Sequence, residues 1–306
     1  DNSARCGETS RATRLLLSTS KMSKPSLVVA NNDALSNAVS KWLVEDFHAG
    51  EILFYRGIFA YLPIVYFAAR AGGWIALRSR HPGVNVLRAA LNTGAGFAVI
   101  TAYAFMPLAD TMAIMFASPF LVAALSVPML GESVGWQRWL AVAVGFFGVV
   151  IILQPGSAAF AWFTLLPVLA AGFVAVRDIL TRRLGAVDGT TVILFYTVSA
   201  SVVGGAVSMV AFGTRWPTLA EWLIFLAMGL LNGVAHYMTI HAFALARAAT
   251  HAPLRYLSLV WAALIGYAVW GDVPGSAVLA GAVLVVGSGV FMLYRETRQA
   301  DSDTSP

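Results

Sequence analysis

Charge is scarce in this sequence. Only 11% of the residues are Asp, Glu, Lys or Arg, whereas a soluble domain carries about 25%, so there is too little polar surface to cover a water-soluble globule. Cysteine is nearly absent: Cys6 stands alone and cannot form an internal disulfide. No Gly-x-x-x-x-Gly-Lys-Ser/Thr phosphate loop occurs, so direct drive by ATP is not encoded. The few histidines lack metal spacing, since His236 and His241 are five apart and zinc-helix ligands sit four apart. The scattered acids form no paired motif for lipid headgroup transfer. Gly287-Ser288-Gly289 lacks the Gly-x-Ser-x setting of an intramembrane protease. These gaps weigh against an enzyme, and neither a metal nor a cofactor is expected.

What fills the chain is apolar: 58% hydrophobic residues and a mean hydropathy of +0.74. Crossing about 30 Å of hydrocarbon takes about 20 helical residues. Ten candidate spans follow, at 26–43, 52–69, 87–106, 110–130, 136–153, 160–180, 190–212, 220–245, 249–270 and 275–294. The first carries Asn31, Asn32, Asp33, Asn37 and Lys41. A central Asp costs about 2.5–3.5 kcal/mol on insertion, so this helix should insert beside the next one with its polar side turned inward.

The net charge is +5, but the cations are spread through short loops, which suits anionic lipid headgroups and not nucleic acid. With the amino terminus inside, fifteen Lys and Arg residues fall on inner segments and Arg215 alone on an outer loop. Both termini are therefore predicted to be cytoplasmic. Residues 1–25 read as a disordered cytoplasmic tail, with Met22 as a candidate start and a transit peptide as the alternative.

An internal repeat is visible. Ile52-Leu53-Phe54-Tyr55 returns as Ile193-Leu194-Phe195-Tyr196, and Gly131-Glu132 as Gly271-Asp272, with Ser118/Ser258 in the same register. Five spans per half make the halves antiparallel across the membrane. The predicted fold is an all-α integral membrane protein of ten transmembrane helices in two inverted five-helix repeats, 26–153 and 160–294. A linker at 154–159 joins them and a cytoplasmic tail at 295–306 follows. Such repeats can rock about a central site.

Several segments carry a further resemblance. They are Asn37–Leu43 ahead of Ile52–Arg56, Tyr103–Asp110, Ala113–Pro119, Leu130-Gly-Glu132, Arg138-Trp139, Gly145-Phe-Phe-Gly148 and Gln154-Pro-Gly156. The second half adds Ala252-Pro253, Val260–Ala263 and Gly271-Asp272. On these residues the chain resembles the ten-helix drug/metabolite transporter superfamily, of the EamA-domain type, over about residues 30–295. It departs in a shorter, more polar first span and in Asp272, where Glu is commoner. The resemblance implies a bacterial inner-membrane permease for small organic metabolites of the amino-acid or vitamin/nucleoside-like class. It also implies alternating access about a cavity lined by spans one, three, four, six, eight and nine. A passive channel, an assembly subunit and, less favoured, an intramembrane enzyme are the alternatives.

Polar residues inside spans are the candidate site, because exposing them to lipid is costly. Asn37 and Lys41 share a face of the first span, where Lys41 either faces the cavity or snorkels to headgroups. Asn92 and Tyr103 share a face of the third, and Ser118 lies in the fourth. His236 and Tyr237 lie in the eighth, where His236 could exchange a proton as the coupling group. Arg255, Tyr256 and Trp261 in the ninth could recognise an anion and stack a ring. Arg56 reads as a structural anchor able to pair with Asp46, Glu51 or a substrate anion. Asp110 reads as a helix cap, Arg177-Asp178 as an ion pair, and Glu132 and Asp272 as turn groups. Gly229-x-x-x-Gly233, Ala141-x-x-x-Gly145 and Gly287-x-Gly289 are packing signals, the last a possible homodimer face. The expected partners are a small-molecule substrate and membrane lipids.

Overall fold

A computed structural model of the protein describes residues 32–70, 73, 77–131, 135–156, 161–184, 187–245 and 257–302. Helix follows helix wherever hydropathy is high. The order is α1 (32–43), α2 (Ala49–Arg70), α3 (Pro82–Tyr103), α4 (Leu108–Met115), α5 (Ser118–Leu130) and α6 (Trp136–Leu153). Then come α7 (Leu165–Leu184), α8 (Thr190–Phe212), α9 (Leu219–Leu245), α10 (Leu257–Trp270) and α11 (Ser276–Ser302). Because α4 and α5 together make one interrupted span, Leu108–Leu130, the described helices form ten spans, as expected.

Six of these are long and apolar enough to cross a membrane, and α10 and α11 hold shorter apolar stretches. The polar spans α1 and α3 reach the bundle by hiding their polar groups. Asn85 and Arg88 of α3 are fully buried. The helix α3 begins at Pro82, five residues before the expected boundary, and Pro at the first helical position has its φ preset and needs no donor. Arg88, at the very edge of the expected span 87–106, is therefore nearly two turns inside the helix. In α4–α5 the break has a local cause. Pro119 has no N–H to offer the carbonyl of Met115, and the chain tightens, with Ala117 N–H donating to Ile114 C=O at 2.9 Å.

The repeat has a physical counterpart in the packing. The helix α2 crosses α8 and α6 crosses α11, each lying on the helix five spans away. Pairs α3–α8 and α2–α9, which exchange under that relation, also pack. Gly131 and Gly271 both adopt φ +70° and close α5 and α10 in the same way. Ser118 and Ser258 are both buried, and so are Ile52-Leu53 and Ile193-Leu194.

Missing side chains bring the helices together. A Cβ on Gly205 of α8 would stand 2.5 Å from the carbonyl oxygen of Gly50 in α2. Gly148 and Gly281 face each other across α6 and α11, each meeting the other's carbonyl. The predicted pair Gly229 and Gly233 packs on Arg56, Ala60 and Pro63 of α2, and Gly145 packs under the Phe120 ring. Gly287 meets no neighbour. Outward, Val203 and Val283 are 62% and 71% exposed, as a surface solvated by lipid tails requires. Trp136 and Trp162 at helix starts and Trp216 in the loop between α8 and α9 are exposed, a placement that suits interfacial aromatic residues.

Candidate functional site

A small cavity of about 30 Å³ lies where α2, α3, α8 and α9 converge. Its wall is polar despite its depth: Arg56 from α2, Asn92 from α3, Thr197 and Ser201 from α8, Asn232 and His236 from α9, with Leu53, Gly57, Ala60 and Val198 completing it. Two of these residues, Asn92 and His236, were among the sequence candidates. The expected lining by spans one, three, four, six, eight and nine differs from this one. Spans two and seven take part because glycines let α2 approach α8 and α9 closely.

Arginines surround the cavity. Arg88 donates from Nε to Thr181 Oγ1 and from Nη1 to Thr197 Oγ1, both at 2.6 Å. Each threonine hydroxyl in turn donates to its own helix carbonyl, Arg177 and Ile193 respectively. Arg177 pairs with Asp178 (Nη2 to Oδ1, 2.7 Å), as expected, and it also donates from Nη1 to Asn92 Oδ1 at 2.9 Å. That engages the oxygen of Asn92, and among the described residues none accepts from its amide nitrogen. His236 bonds the backbone carbonyl of Asn232, and the charges of Arg177, Arg56 and Arg88 all reach its ring.

Arg56 is not the outer anchor that its sequence position suggested. Asp46 pairs with Arg215 at 3.1 Å. Glu51 accepts from the backbone N–H groups of Arg215 (2.6 Å) and His48 (3.1 Å). With both acids engaged elsewhere, the guanidinium turns toward α3. There the bare Gly96 leaves room, its would-be Cβ standing 3.9 Å from Nη2. Among the described residues none accepts a hydrogen bond from Arg56.

The remaining sequence candidates sit elsewhere. Asn37 Nδ2 and Tyr103 Oη both donate to the sulfur of Met112, at 3.4 and 3.6 Å, joining α1, α3 and α4. Lys41 neither snorkels nor faces the cavity. It pairs with Asp272 at 2.6 Å and lies over the Trp270 ring, linking α1 of the first half to the end of α10 in the second. Asp110 caps nothing: it lies in the first turn of α4 beside this pair, and its Oδ1 has no hydrogen-bond partner. Ser118 is buried at the start of α5, Tyr237 stacks on Phe67 with centroids 3.8 Å apart, and Trp261 is 40% exposed on the outer surface. Arg255, Tyr256 and Glu132 lie outside the described residues. Thr197 and Ser201 were missed because a hydroxyl satisfied by its own helix is unremarkable in sequence.

At the face carrying the loop after α7, Asp188 collects bonds from Ser79 Oγ (2.7 Å), Asn85 Nδ2 (2.6 Å) and the Arg80 N–H (2.9 Å). Burial pushes its carboxyl up, but these bonds outweigh it and hold the group below the ordinary carboxylate range. On the same face Arg183 Nη2 donates to the carbonyl of Met129 near the end of α5. This is the counterpart of Lys41 reaching past the end of α10 on the other face.

Known proteins share both sequence and shape. The model of the EamA-like transporter family matches residues 32–154. A riboflavin transporter of Rhizobium johnstonii is 32% identical over 269 residues, 87% of this chain and 88% of that protein. An S-adenosylmethionine uptake transporter of Rickettsia bellii is 29% identical over 87% of this chain and 91% of its own. A pseudopaline exporter of Pseudomonas aeruginosa is 29% identical over 83% and 89%. A crystal structure with 18% identity superposes with a TM-score of 0.66, covering 90% of this chain and 98% of that one, and so shares the fold. Ten helical spans, six of them apolar enough to cross a bilayer, and relatives named throughout as transporters leave a multi-pass membrane protein with a transport role: the chain belongs to the EamA-like transporter family of the drug/metabolite transporter superfamily.

Proposed function

We propose that the protein is a secondary transporter of a small organic metabolite, of the amino-acid or vitamin/nucleoside-like class, working by alternating access in a bacterial inner membrane with both termini cytoplasmic. The observation that carries this reading is the polar cavity enclosed by α2 and α3 of one half and α8 and α9 of the other. At about 30 Å³ it admits about two water-sized groups. A whole metabolite needs a few hundred Å³, so the two halves must part for cargo to enter. The ties that would have to yield are the Lys41–Asp272 pair on one face and the Arg183–Met129 contact on the other.

Asn92 and His236 line the binding site together with Arg56, Thr197, Ser201 and Asn232. His236 is the coupling candidate, because an imidazole can carry a proton between faces. The relatives named for S-adenosylmethionine and riboflavin take up or move chemically different cargo, and the pseudopaline relative exports. The family alone therefore fixes neither cargo nor direction. Purified protein in liposomes preloaded with a metabolite panel is expected to give saturable counterflow. Flux that neither saturates nor exchanges would point to a passive channel, and absence of flux under any gradient would refute transport. Replacing His236 with Ala should abolish acceleration by a pH gradient while counterflow persists.

A further inference from the structure

The cavity between α2, α3, α8 and α9 has three guanidinium groups beside it and one carboxylate, that of Asp178. Arg56 lines it together with His236, while Arg177 and Arg88 bond two further lining residues, Asn92 and Thr197. Asp178 is engaged by Arg177, through both Nε and Nη2. Arg88 is held only by the neutral hydroxyls of Thr181 and Thr197. Asp33 of α1 acts on Tyr103, and no described acid pairs with Arg56. A cation inside a bilayer is costly unless it is paired, yet Asp46 and Glu51, ten and five residues before Arg56, are bound to other groups.

The other groups facing the hollow suit the same charge. Asn92 has its oxygen engaged by Arg177, and its Nδ2, with no acceptor among the described residues, is a donor. Asn232 can add a second amide donor, while the Ser201 hydroxyl is already given to the Thr197 carbonyl. A hollow of about 30 Å³ suits a small anionic head such as a carboxylate.

We propose that this cavity seats the anionic head of the cargo: the transported metabolite bears a carboxylate, which docks on the fork of Arg56 between the amides of Asn92 and Asn232. The inference rests on the transporter reading and narrows its substrate class. The rest of the metabolite extends from this anchor into the space opened when the halves separate. Arg88 and Arg177 supply the surrounding field without touching the ligand, since they stand behind the lining residues Thr197 and Asn92 and are not part of the wall.

The test uses full-length protein in lipid nanodiscs, dialysed to equilibrium against a bacterial polar-metabolite extract, with bound compounds identified by mass spectrometry. Wild type is expected to enrich carboxylate-bearing compounds. Arg56→Gln should lose that enrichment by about 30-fold or more, as removal of one partner of a buried charge pair does. Arg56→Lys should keep part of it, holding the charge without the fork. Thermal melting checks that each variant is folded. If Arg56→Gln does not fold, the decision passes to the methyl ester of the enriched compound, which should not compete for wild-type protein. Enrichment of neutral, cationic or purely phosphorylated compounds, equal binding of the ester, full binding by folded Arg56→Gln, or no enrichment at all each overturns the assignment. Counterflow in liposomes loaded with the same extract separates the two readings. Flux of cargo without a carboxylate sinks this inference alone, whereas no flux sinks the transporter itself.

Discussion

The crossing of α2 and α8 beside the cavity depends on an atom that is absent. A Cβ added at Gly205 would lie 2.5 Å from the Gly50 carbonyl oxygen and 2.8 Å from both Phe54 N and Phe54 Cβ. Ordinary contact begins near 3.4 Å, so Gly205→Ala falls about 0.9 Å short. Two of the obstructing atoms belong to helix backbone and cannot rotate away, so the helices themselves must separate. Overpacking of this kind costs about 1–3 kcal/mol, and backbone obstruction places Gly205→Ala at the upper end. For a chain of this size that is a fall in Tm of roughly 3–5 °C. A matched control is Gly266→Ala, whose added Cβ would meet its nearest atoms at 3.8 and 4.0 Å, and which should melt with wild type. The assay is thermal unfolding in detergent, followed by aggregation or tryptophan emission. If Gly205→Ala melts with wild type while its fold is intact, the α2–α8 contact is looser than described, and the cavity walls with it.

Three further outcomes are expected. Lys41→Met leaves Asp272 without its partner and should destabilise that face by about 2 kcal/mol, read as faster labelling of a cysteine placed at Asn37; the exchange Lys41→Asp with Asp272→Lys should restore slow labelling. Asp188, held below the ordinary carboxylate range, contributes stability that is complete above that range and is lost as pH falls through the lowered value. Asp188→Asn should thus be less stable than wild type at neutral pH, and the gap should close on acidification below about pH 4; a gap independent of pH would refute the linkage. Gly131→Ala and Gly271→Ala each force a side chain into φ +70° and should cost about 1 kcal/mol apiece, measured by chemical denaturation of each variant.

The spans were legible because hydrocarbon thickness sets helix length, and the repeat because Gly131 and Gly271 do the same backbone task at helix ends. Arg88 was left at the edge of its span, 87–106, because hydropathy scores any arginine as unfit for the interior. It cannot know that Thr181 and Thr197, about a hundred positions away, supply its acceptors. Arg56 misled for a similar reason: Asp46 and Glu51 are near in sequence, and only the fold engages them with Arg215. Asn92 and His236 stood out in the sequence because an amide and an imidazole deep in apolar helices have few inexpensive explanations. Lys41 was recognised as polar but not as a tie, since its partner Asp272 belongs to the opposite half.

Helices α2 and α6 of the first half each lie against their own equivalents, α8 and α11, in the second. A chain cut after Leu153 would therefore carry two bare interfaces shaped for near-copies of themselves. The only surface at hand to cover them is another such fragment inserted the other way up. Joining both orientations in one polypeptide fixes their ratio at one to one, and it frees each copy to acquire side chains, such as Arg56 or His236, that its twin does not need.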